Sequence, residues 1–432
     1  MLINIIIFIL IIAILKYSEI GLALIVIIPL IKKLEIFANC AFGVDLSLLF
    51  MLVTIVSFLI HYSQNVKSIF IKKKCLIEKK HLILFLLFTL TLSLSYFYTK
   101  SSWYGSEKLL KFIFFNGFFF ISGIVIFQIP RNIFRFSYIL LFVVFLISIA
   151  DSYLILKYIF SGRFIESLIT RFTITGENPI GLSRVMGLGI IFGLILLDES
   201  NKKLIKIGIM LALLPIIFSM LATNTRTAVI ILFFIVLIYI IFFSRLKIGM
   251  KFIQLISIIA IIVVMIYVLP QSLTSRYVTI FNPRQFNIPP NISEAMGLGV
   301  RLYYCRQIIE YFINNPLRIM FGTGIGNFSS FFGVDTMAYP HNIFMEILYE
   351  QGIVGLSIFI IGIILIIKEI SRKFHSINEG LKSIFIIFLF SFIYFFIHAQ
   401  INGDIPGNRF VWLFWGGIIG IISFTKHERI DS

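Results

Sequence analysis

The stretch TAVIILFFIVLIYIIFF, residues 227–243, contains no charged side chain and does not alternate polar with apolar positions. As a helix rising 1.5 Å per residue, such a run crosses most of the hydrocarbon core of a bilayer. Similar runs recur along the 432-residue chain, which is 59% hydrophobic and 13% charged, with a mean hydropathy of +1.03. A soluble domain could not bury that much apolar surface, so the bilayer is predicted to be the solvent.

The continuity of these runs also predicts the fold class. Backbone N–H and C=O groups in hydrocarbon must be paired within the protein, which leaves helical bundles or closed barrels. Apolar runs of ~15–22 residues without alternation exclude the barrel. The sequence therefore predicts an all-α polytopic membrane protein with about 12 transmembrane helices. The runs fall near 2–15, 19–31, 43–60, 82–98, 109–128, 136–158, 180–197, 204–222, 227–243, 252–269, 352–368, 383–399 and 409–424.

The net charge of +17 is compatible with a nucleic-acid partner, but the position of the cations favours a membrane topology. Most lysines and arginines lie in alternate connections between the apolar runs, as cytoplasmic loops of membrane proteins do, so no nucleic-acid partner is predicted. These connections are 67–80, 130–135, 201–203, 244–247, 368–373 and 426–429. The lysine pair at 32–33 falls on the opposite side, which leaves the direction of the first hairpin open.

The opposite, external side is predicted to carry one large loop. The chain divides into N-terminal transmembrane helices over 1–269, an external loop with helical segments over 270–351, and C-terminal transmembrane helices over 352–432. A loop of this length inside a bundle is usually functional. Shorter external connections are predicted at 99–108, 159–182, 223–226 and 400–408.

Four arginines lie at the external ends of spans, where cytoplasmic retention does not explain them: Arg184, Arg226, Arg301 and Arg409. An arginine at bilayer depth costs several kcal/mol unless it is paired or solvated, so each is a functional candidate. A single one could be a side chain that snorkels at a helix end, but four on one face favour a binding site. Because guanidinium groups grip phosphate bidentately, the predicted ligand is a diphosphate.

The second polar feature is YPHNIFMEILYEQGIVGL, residues 339–356. Pro340 fits the first turn of a helix, which places His341 at or near a helix N-terminus. There the macrodipole disfavours the imidazolium form and keeps a neutral ring that can act as a general base. The polar side chains that follow at i, i+4 and i+8 form one stripe with His341 on its flank: Asn342, Glu346 and Glu350.

Several further patterns carry less information. The Gly-rich stretch FGTGIGNF (321–328) has no preceding strand and no GK[ST], so it is interpreted as a turn rather than a phosphate loop. Gly352 and Gly355 are predicted to permit close helix approach, and Asp404 in the turn 401–408 could pair with an arginine.

The sequence predicts neither a metal nor a cofactor. It has no D-x-D pair and no His/Cys metal spacing, and its cysteines are widely separated: Cys40, Cys75 and Cys305. A nucleotide-sugar transferase that relies on a carboxylate-bound metal is therefore disfavoured.

The residues with external positions resemble the bacterial O-antigen polymerase and O-antigen ligase family of multi-spanning glycosyltransferases. The resemblance rests on HNIFMEILYEQGIVGL (341–356), in which His-Asn is followed by nine residues and then G-x-x-G. NTRTA (224–228) and NPLRIMFGTGIGNF (315–328) support it, as does the large external loop before the last spans.

The resemblance implies transfer of a glycan from a polyprenyl-diphosphate-linked oligosaccharide to an acceptor hydroxyl, without metal, on the periplasmic face of the bacterial inner membrane. By position it implies catalytic roles for His341, Arg226 and Arg301. The predicted substrate contacts are Arg184, Arg409, Asn342, Glu346 and Glu350.

The acceptor separates two versions of this reaction. A polymerase extends another lipid-linked repeat unit, with a chain-length regulator as an optional partner, whereas a ligase transfers the glycan to lipid A core. The histidine motif does not separate them, and the Phe- and Ile-rich, low-charge character favours the polymerase.

A membrane transporter of an anionic or lipid-linked substrate is the alternative from another class, with the arginines lining a vestibule. No inverted repeat is visible in the sequence, and the unusual cations cluster on one face, both of which argue against it. A purely structural membrane scaffold ranks below the transporter.

Overall fold

The computed structural model describes residues 2–31, 46–71, 76–160, 179–245, 247–268, 298–333 and 335–431. Within these ranges the regular secondary structure is helical and contains no strand, so the predicted all-α class is confirmed. Among the described residues, nine helices are long and apolar enough to cross a bilayer and three apolar helices are shorter, whereas the sequence predicted about 12 transmembrane helices. The nine are Leu46–Ser63, Trp103–Ile126, Pro130–Lys157, Pro179–Glu199, Lys203–Ala222, Arg226–Phe243, Ile343–Ser376, Glu379–Ala399 and Pro406–Phe424.

The described helices are numbered here in chain order. They are α1 Leu2–Lys16, α2 Ser18–Ile31, α3 Leu46–Ile71, α4 Leu76–Tyr96, α5 Trp103–Lys111, α6 Gly117–Ile126, α7 Pro130–Phe160, α8 Pro179–Glu199, α9 Lys203–Ala222, α10 Arg226–Ile238, α11 Ile248–Val268, α12 Leu298–Asn314, α13 Ile343–Lys373, α14 Glu379–Ala399 and α15 Arg409–Asp431. Of the predicted external loop, residues 270–297 and 334 lie outside the described residues. The predicted division of the chain at 269 and 351 stays a prediction.

The helices form two compact units. The first unit comprises Met1–Ser63, Ile129–Phe281 and Glu379–Tyr394. Its central helix is α8, in which every residue from Leu182 to Leu196 is buried. A helix that is apolar on all sides is expected at the centre of a bundle, and α7, α9 and α10 pack around this one.

The second unit comprises Gln64–Gln128, Asn282–Asn378 and Phe395–Ser432. In it, α6 and α15 pack backbone against backbone through glycines. A Cβ atom added at Gly416 would lie 2.3 Å from the carbonyl oxygen of Phe120, and one at Gly123 would lie 2.6 Å from that of Leu413. Small residues at such contacts allow helices in a bilayer to approach closely, so these glycines set the separation of the two helices.

This contact gives a first prediction about stability. Gly416→Val should lower the free energy of unfolding by about 1–3 kcal/mol, because the added side chain overlaps the α6 backbone. The matched control is Gly208→Val on α9, where an added Cβ meets nothing within 4 Å. Unfolding of the purified protein in mixed detergent micelles would measure both, and equal stability of the two variants would contradict the packing argument.

Candidate active site

The helix that carries the histidine motif begins at Ile343. Asn342 is its N-cap: the side-chain Oδ1 accepts a hydrogen bond from the amide of Met345 at 3.0 Å. Its Nδ2 donates to the carbonyl of Gln400 at 3.3 Å. Because Asn342 supplies the cap, Pro340 lies two residues before it, and the prediction that Pro340 occupies the first helical turn is wrong. The predicted position of His341 near a helix start is confirmed, since it directly precedes the cap.

His341 adopts an unusual backbone conformation and lies among aromatic rings. Its φ of +59° is in the left-handed region, which non-glycine residues visit rarely, and such residues are enriched at functional sites. The ring of Tyr339 packs edge-on with centroids 4.6 Å apart, and that of Tyr304 lies nearly parallel at 6.4 Å. Within the described residues the imidazole Nδ1 is buried and has no hydrogen-bond partner. Aromatic packing therefore helps to set the orientation of this ring.

The imidazole of His341 is neutral at physiological pH. Burial lowers its pKa, and the nearby positive charge of Arg301 lowers it further, to about 4. The neutral ring agrees with the expectation from the sequence. The physical causes, however, are burial and Arg301, and not the helix macrodipole that the sequence predicted.

Arg301 lies on α12, and other residues of α12 pack against α13. The guanidinium Nη2 donates a hydrogen bond to Oδ1 of Asn402 at 3.1 Å. Tyr304, one turn later on α12, is the aromatic neighbour of His341. Further along, α12 packs into an apolar cluster with the start of α13, formed by Ile308, Phe312, Phe328 and Tyr349.

The predicted turn FGTGIGNF supports α13 at a break in that helix. Gly352 has φ +67° and ψ −164°, which breaks the helix, and next to this break the carbonyls of Tyr349 and Glu350 accept from the amides of Thr323 and Gly324, at 2.8 and 3.0 Å. A Cβ at Gly352 would lie 2.4 Å from the Met320 carbonyl. Gly352 thus permits a positive φ and the approach of this turn, whereas the sequence assigned it to contact between helices.

A buried lysine that is not among the predicted site residues binds the polar stripe of α13. Lys108 on α5 forms ion pairs through Nζ with both Glu346 and Glu350, and all three side chains have no exposed surface. The ammonium group also lies 5.5 Å from the ring centroid of Tyr104. In the part of the chain that the structure describes, the second oxygen of each glutamate has no hydrogen-bond partner. Both carboxylates pair with Lys108 within the protein. The substrate contacts predicted for these two glutamates stay predictions.

The same cluster fixes the turn between α14 and α15. Oε1 of Glu346 accepts from the amide of Ile405 at 3.2 Å, and Nδ2 of Asn116 donates to the Ile405 carbonyl at the same distance. The hydroxyl of Tyr104 donates to Asp404 at 2.8 Å. Asp404, for which the sequence suggested an arginine partner, therefore anchors the turn through Tyr104.

Residues 103–108, predicted as loop, form the first turns of α5 because Asp335 caps that helix. Its carboxylate accepts from the Ser101 hydroxyl at 2.5 Å and from the Trp103 amide at 2.8 Å. Burial opposes ionisation of Asp335, but these bonds outweigh it and hold the pKa below its usual value. A signal for Lys108 is present in the sequence, since it is a cation within the predicted external connection 99–108.

The other three predicted arginines are divided between the two units. Arg409 begins α15 in the second unit, with its guanidinium 5.3 Å from the ring centroid of Phe410 and 6.0 Å from that of Phe119. Arg184 is buried on α8, and Arg226 begins α10 after a tight turn in which Asn224 has φ +51°. Arg184 and Arg226 belong to the first unit, whereas His341 and Arg301 belong to the second.

Among the described residues, no three His, Cys, Asp or Glu side chains are grouped to hold a metal ion.

The ion cluster gives a second prediction. Lys108→Met should lower the free energy of unfolding by about 3–5 kcal/mol, because it leaves two buried carboxylates without a cation. Replacing all three partners with neutral residues (Lys108→Met, Glu346→Gln, Glu350→Gln) should recover much of that loss. The matched control is Lys111→Met, which removes a half-exposed pair with Glu107 on the same helix and should change little. Thermal unfolding in detergent measures these effects; a triple variant no more stable than the single one would contradict the charge argument.

Residues 209–360 match the family model described as O-antigen ligase. No curated protein matches the chain. The matched region contains Arg226, Arg301 and His341, and the reaction type associated with this family is glycan transfer of the O-antigen ligase and polymerase type. The resemblance found in the sequence is therefore confirmed: residues 209–360 match the O-antigen ligase family, and the chain is a multi-pass membrane protein.

Proposed function

We propose that this protein transfers a glycan from a polyprenyl-diphosphate-linked donor to an acceptor hydroxyl, with His341 as general base and Arg301 as the cation that stabilises the leaving diphosphate. The reaction would take place at the periplasmic face of the bacterial inner membrane and without a metal. Its partners would be the lipid-linked donor and either a second lipid-linked glycan or lipid A core as acceptor.

The observation that carries this proposal is a neutral, partly buried imidazole beside a permanent cation. A general base must be unprotonated at the working pH, and burial together with Arg301 lowers the pKa of His341 to about 4. Arginine remains charged under the same conditions. One pair of side chains thus offers a proton acceptor for the incoming hydroxyl and a positive charge for the outgoing diphosphate.

The chemical step follows from these two roles. The acceptor oxygen forms a bond to the anomeric carbon of the donor sugar while its proton passes to the imidazole of His341. The bond between that carbon and the diphosphate oxygen breaks, and the diphosphate leaves with the electron pair. Arg301 offsets the charge that develops on it, in a site where low dielectric strengthens the interaction. A single direct displacement of this kind inverts the anomeric configuration.

The remaining predicted residues have supporting roles in this proposal. Arg226 is a second catalytic cation for the diphosphate, and Arg184 and Arg409 bind the anionic part of the substrate. Asn342 acts on the histidine through the helix start, since its side chain caps α13. Glu346 and Glu350 remain candidate sugar contacts, although both carboxylates bond to Lys108.

Two acceptors are compatible with this chemistry. We favour the polymerase, which extends a lipid-linked repeat unit, on the Phe- and Ile-rich, low-charge character of the chain. The ligase is supported equally by the family match, whose description names that activity. Both reactions need the same base and cation, so the acceptor does not alter the roles of His341 and Arg301.

Complementation of a strain that lacks the protein separates these functions. With His341→Ala we expect loss of at least about 100-fold in transfer, the lower range for a general base. A gel of surface polysaccharide showing a single repeat unit attached to the core would indicate a polymerase. Long chains on the lipid carrier with none on the core would indicate a ligase.

The matched control is His375→Ala, an exposed histidine just beyond the other end of α13. It should leave the ladder of chain lengths unchanged. A His341→Ala strain that matches wild type at equal expression would overturn the general-base assignment and favour the transporter.

The pH dependence provides a further prediction. Since His341 must be neutral to accept a proton, transfer by the purified protein should be constant near neutral pH and fall as pH drops through about 4. Removing the charge with Arg301→Gln should raise the pKa of His341 and move this acid limb to higher pH, whereas Arg301→Lys should move it less. NMR titration of the imidazole would measure the shift, and an unchanged pKa in Arg301→Gln would contradict the coupling of the two side chains.

A further inference from the structure

Asn402 lies next to the cation of the candidate site and is held firmly. Its side chain is 4% exposed, and its Oδ1 accepts the hydrogen bond from Nη2 of Arg301. Its backbone amide bonds to the carbonyl of His398 at the end of α14. Within the described residues its Nδ2 is buried and has no hydrogen-bond partner. A buried donor left unpaired is unfavourable, so this position is not explained by packing alone.

The turn that carries Asn402 is fixed to the same elements as the histidine. The preceding carbonyl, of Gln400, accepts from the N-cap residue Asn342. The following residues are held by Glu346 at the Ile405 amide and by Tyr104 at Asp404. Asn402 is therefore held near the start of α13. The side-chain Oδ1 of Asn402 in turn fixes the position of Arg301 relative to that helix start.

The chemical nature of this partner matters as much as its position. A guanidinium group has five N–H donors, and Asn402 engages one of them in the part of the chain that the structure describes. An amide oxygen orients the group without neutralising it. A carboxylate at the same place would orient it at least as well but would offset its charge, which would weaken attraction for an anion and for charge that develops on a leaving group.

We propose that Asn402 is a positioning residue for Arg301: its neutral amide orients the guanidinium toward the diphosphate of the substrate while leaving the positive charge intact. The inference rests on the proposed function, in which Arg301 binds that diphosphate. The unpaired Nδ2 of Asn402 provides a second donor to the same anion. This residue lies outside the region matched by the family model, so its assignment comes from the contact in the structure.

The test compares the pyrophosphate affinities of Asn402→Asp and Asn402→Ala. A role that needs only an acceptor oxygen and a role that needs a neutral amide predict opposite orders of these two affinities. Binding of inorganic pyrophosphate to the full-length protein in nanodiscs would be measured by calorimetry. If Asn402 only holds Arg301 in place, Asn402→Asp keeps the acceptor oxygen and should bind pyrophosphate better than Asn402→Ala. If the neutral amide is required, Asn402→Asp should be the weaker of the two, with affinity reduced by about tenfold or more.

Two further variants make the result decisive. Arg301→Gln should strongly weaken pyrophosphate binding, which tests the anion site itself. Asn327→Asp is the matched control: this asparagine is also buried, at 6% exposure, and bonds to the Thr323 carbonyl rather than to an arginine. Its carboxylate should cost stability without a selective loss of pyrophosphate affinity.

The outcomes separate the inference from the proposed function. If pyrophosphate binding is lost in Arg301→Gln and is weaker in Asn402→Asp than in Asn402→Ala, the role of Asn402 and the proposed function are both supported. Binding lost in Arg301→Gln but unchanged in both Asn402 variants overturns the role of Asn402 and leaves the proposed function standing. Equal weakening by Asn327→Asp also overturns the role of Asn402. Wild-type binding by Arg301→Gln overturns the anion site on which both depend.

Discussion

The second unit depends on one buried ammonium group shared between two carboxylates. Lys108, Glu346 and Glu350 have no exposed surface, and each of these charges alone would be strongly unfavourable in an apolar interior. The three groups are tolerated only when α5 and the start of α13 lie together. Glu346 extends the constraint to the turn between α14 and α15 through the Ile405 amide. The ends of separate helices are thereby fixed at one place, and His341 and Arg301 are attached to that frame.

Glycine provides the close approach that this frame requires. The turn at 321–328 donates hydrogen bonds from the amides of Thr323 and Gly324 to the carbonyls of Tyr349 and Glu350, next to the break in α13 at Gly352. A side chain at Gly352 or Gly322 would overlap the opposing backbone by more than any rotamer change could relieve. The motif of His-Asn followed by G-x-x-G therefore joins two functions: a capped helix start that presents the histidine, and a break that accepts the Gly-rich turn.

The residues proposed for the site lie partly within the matched residues 209–360 and partly in the rest of the chain. His341 and Arg301 lie within residues 209–360, whereas Lys108 and Asn402, which hold their surroundings in place, lie outside. A neutral base and a permanent cation in one site suit the proposed transfer of a glycan from a diphosphate, because one accepts the proton of the incoming hydroxyl and the other stabilises the charge on the outgoing diphosphate. The neutral partner of Arg301 is consistent with this division, since an acidic partner would offset the charge that the reaction needs.

The sequence by itself determined the helical class, the presence of many membrane spans, the helix start just after His341 and the arginines that lie apart from the other cations. These features are local, because hydropathy, capping and the pairing of backbone groups within a helix act over a few residues. Only the tertiary structure decided that Lys108 neutralises the acidic stripe of α13 from 238 residues away, that Arg301 bonds to Asn402, and that burial sets the pKa of His341. Partners so distant in the chain are chosen by how the helices pack, and desolvation depends on everything that surrounds a group, so no local pattern specifies either.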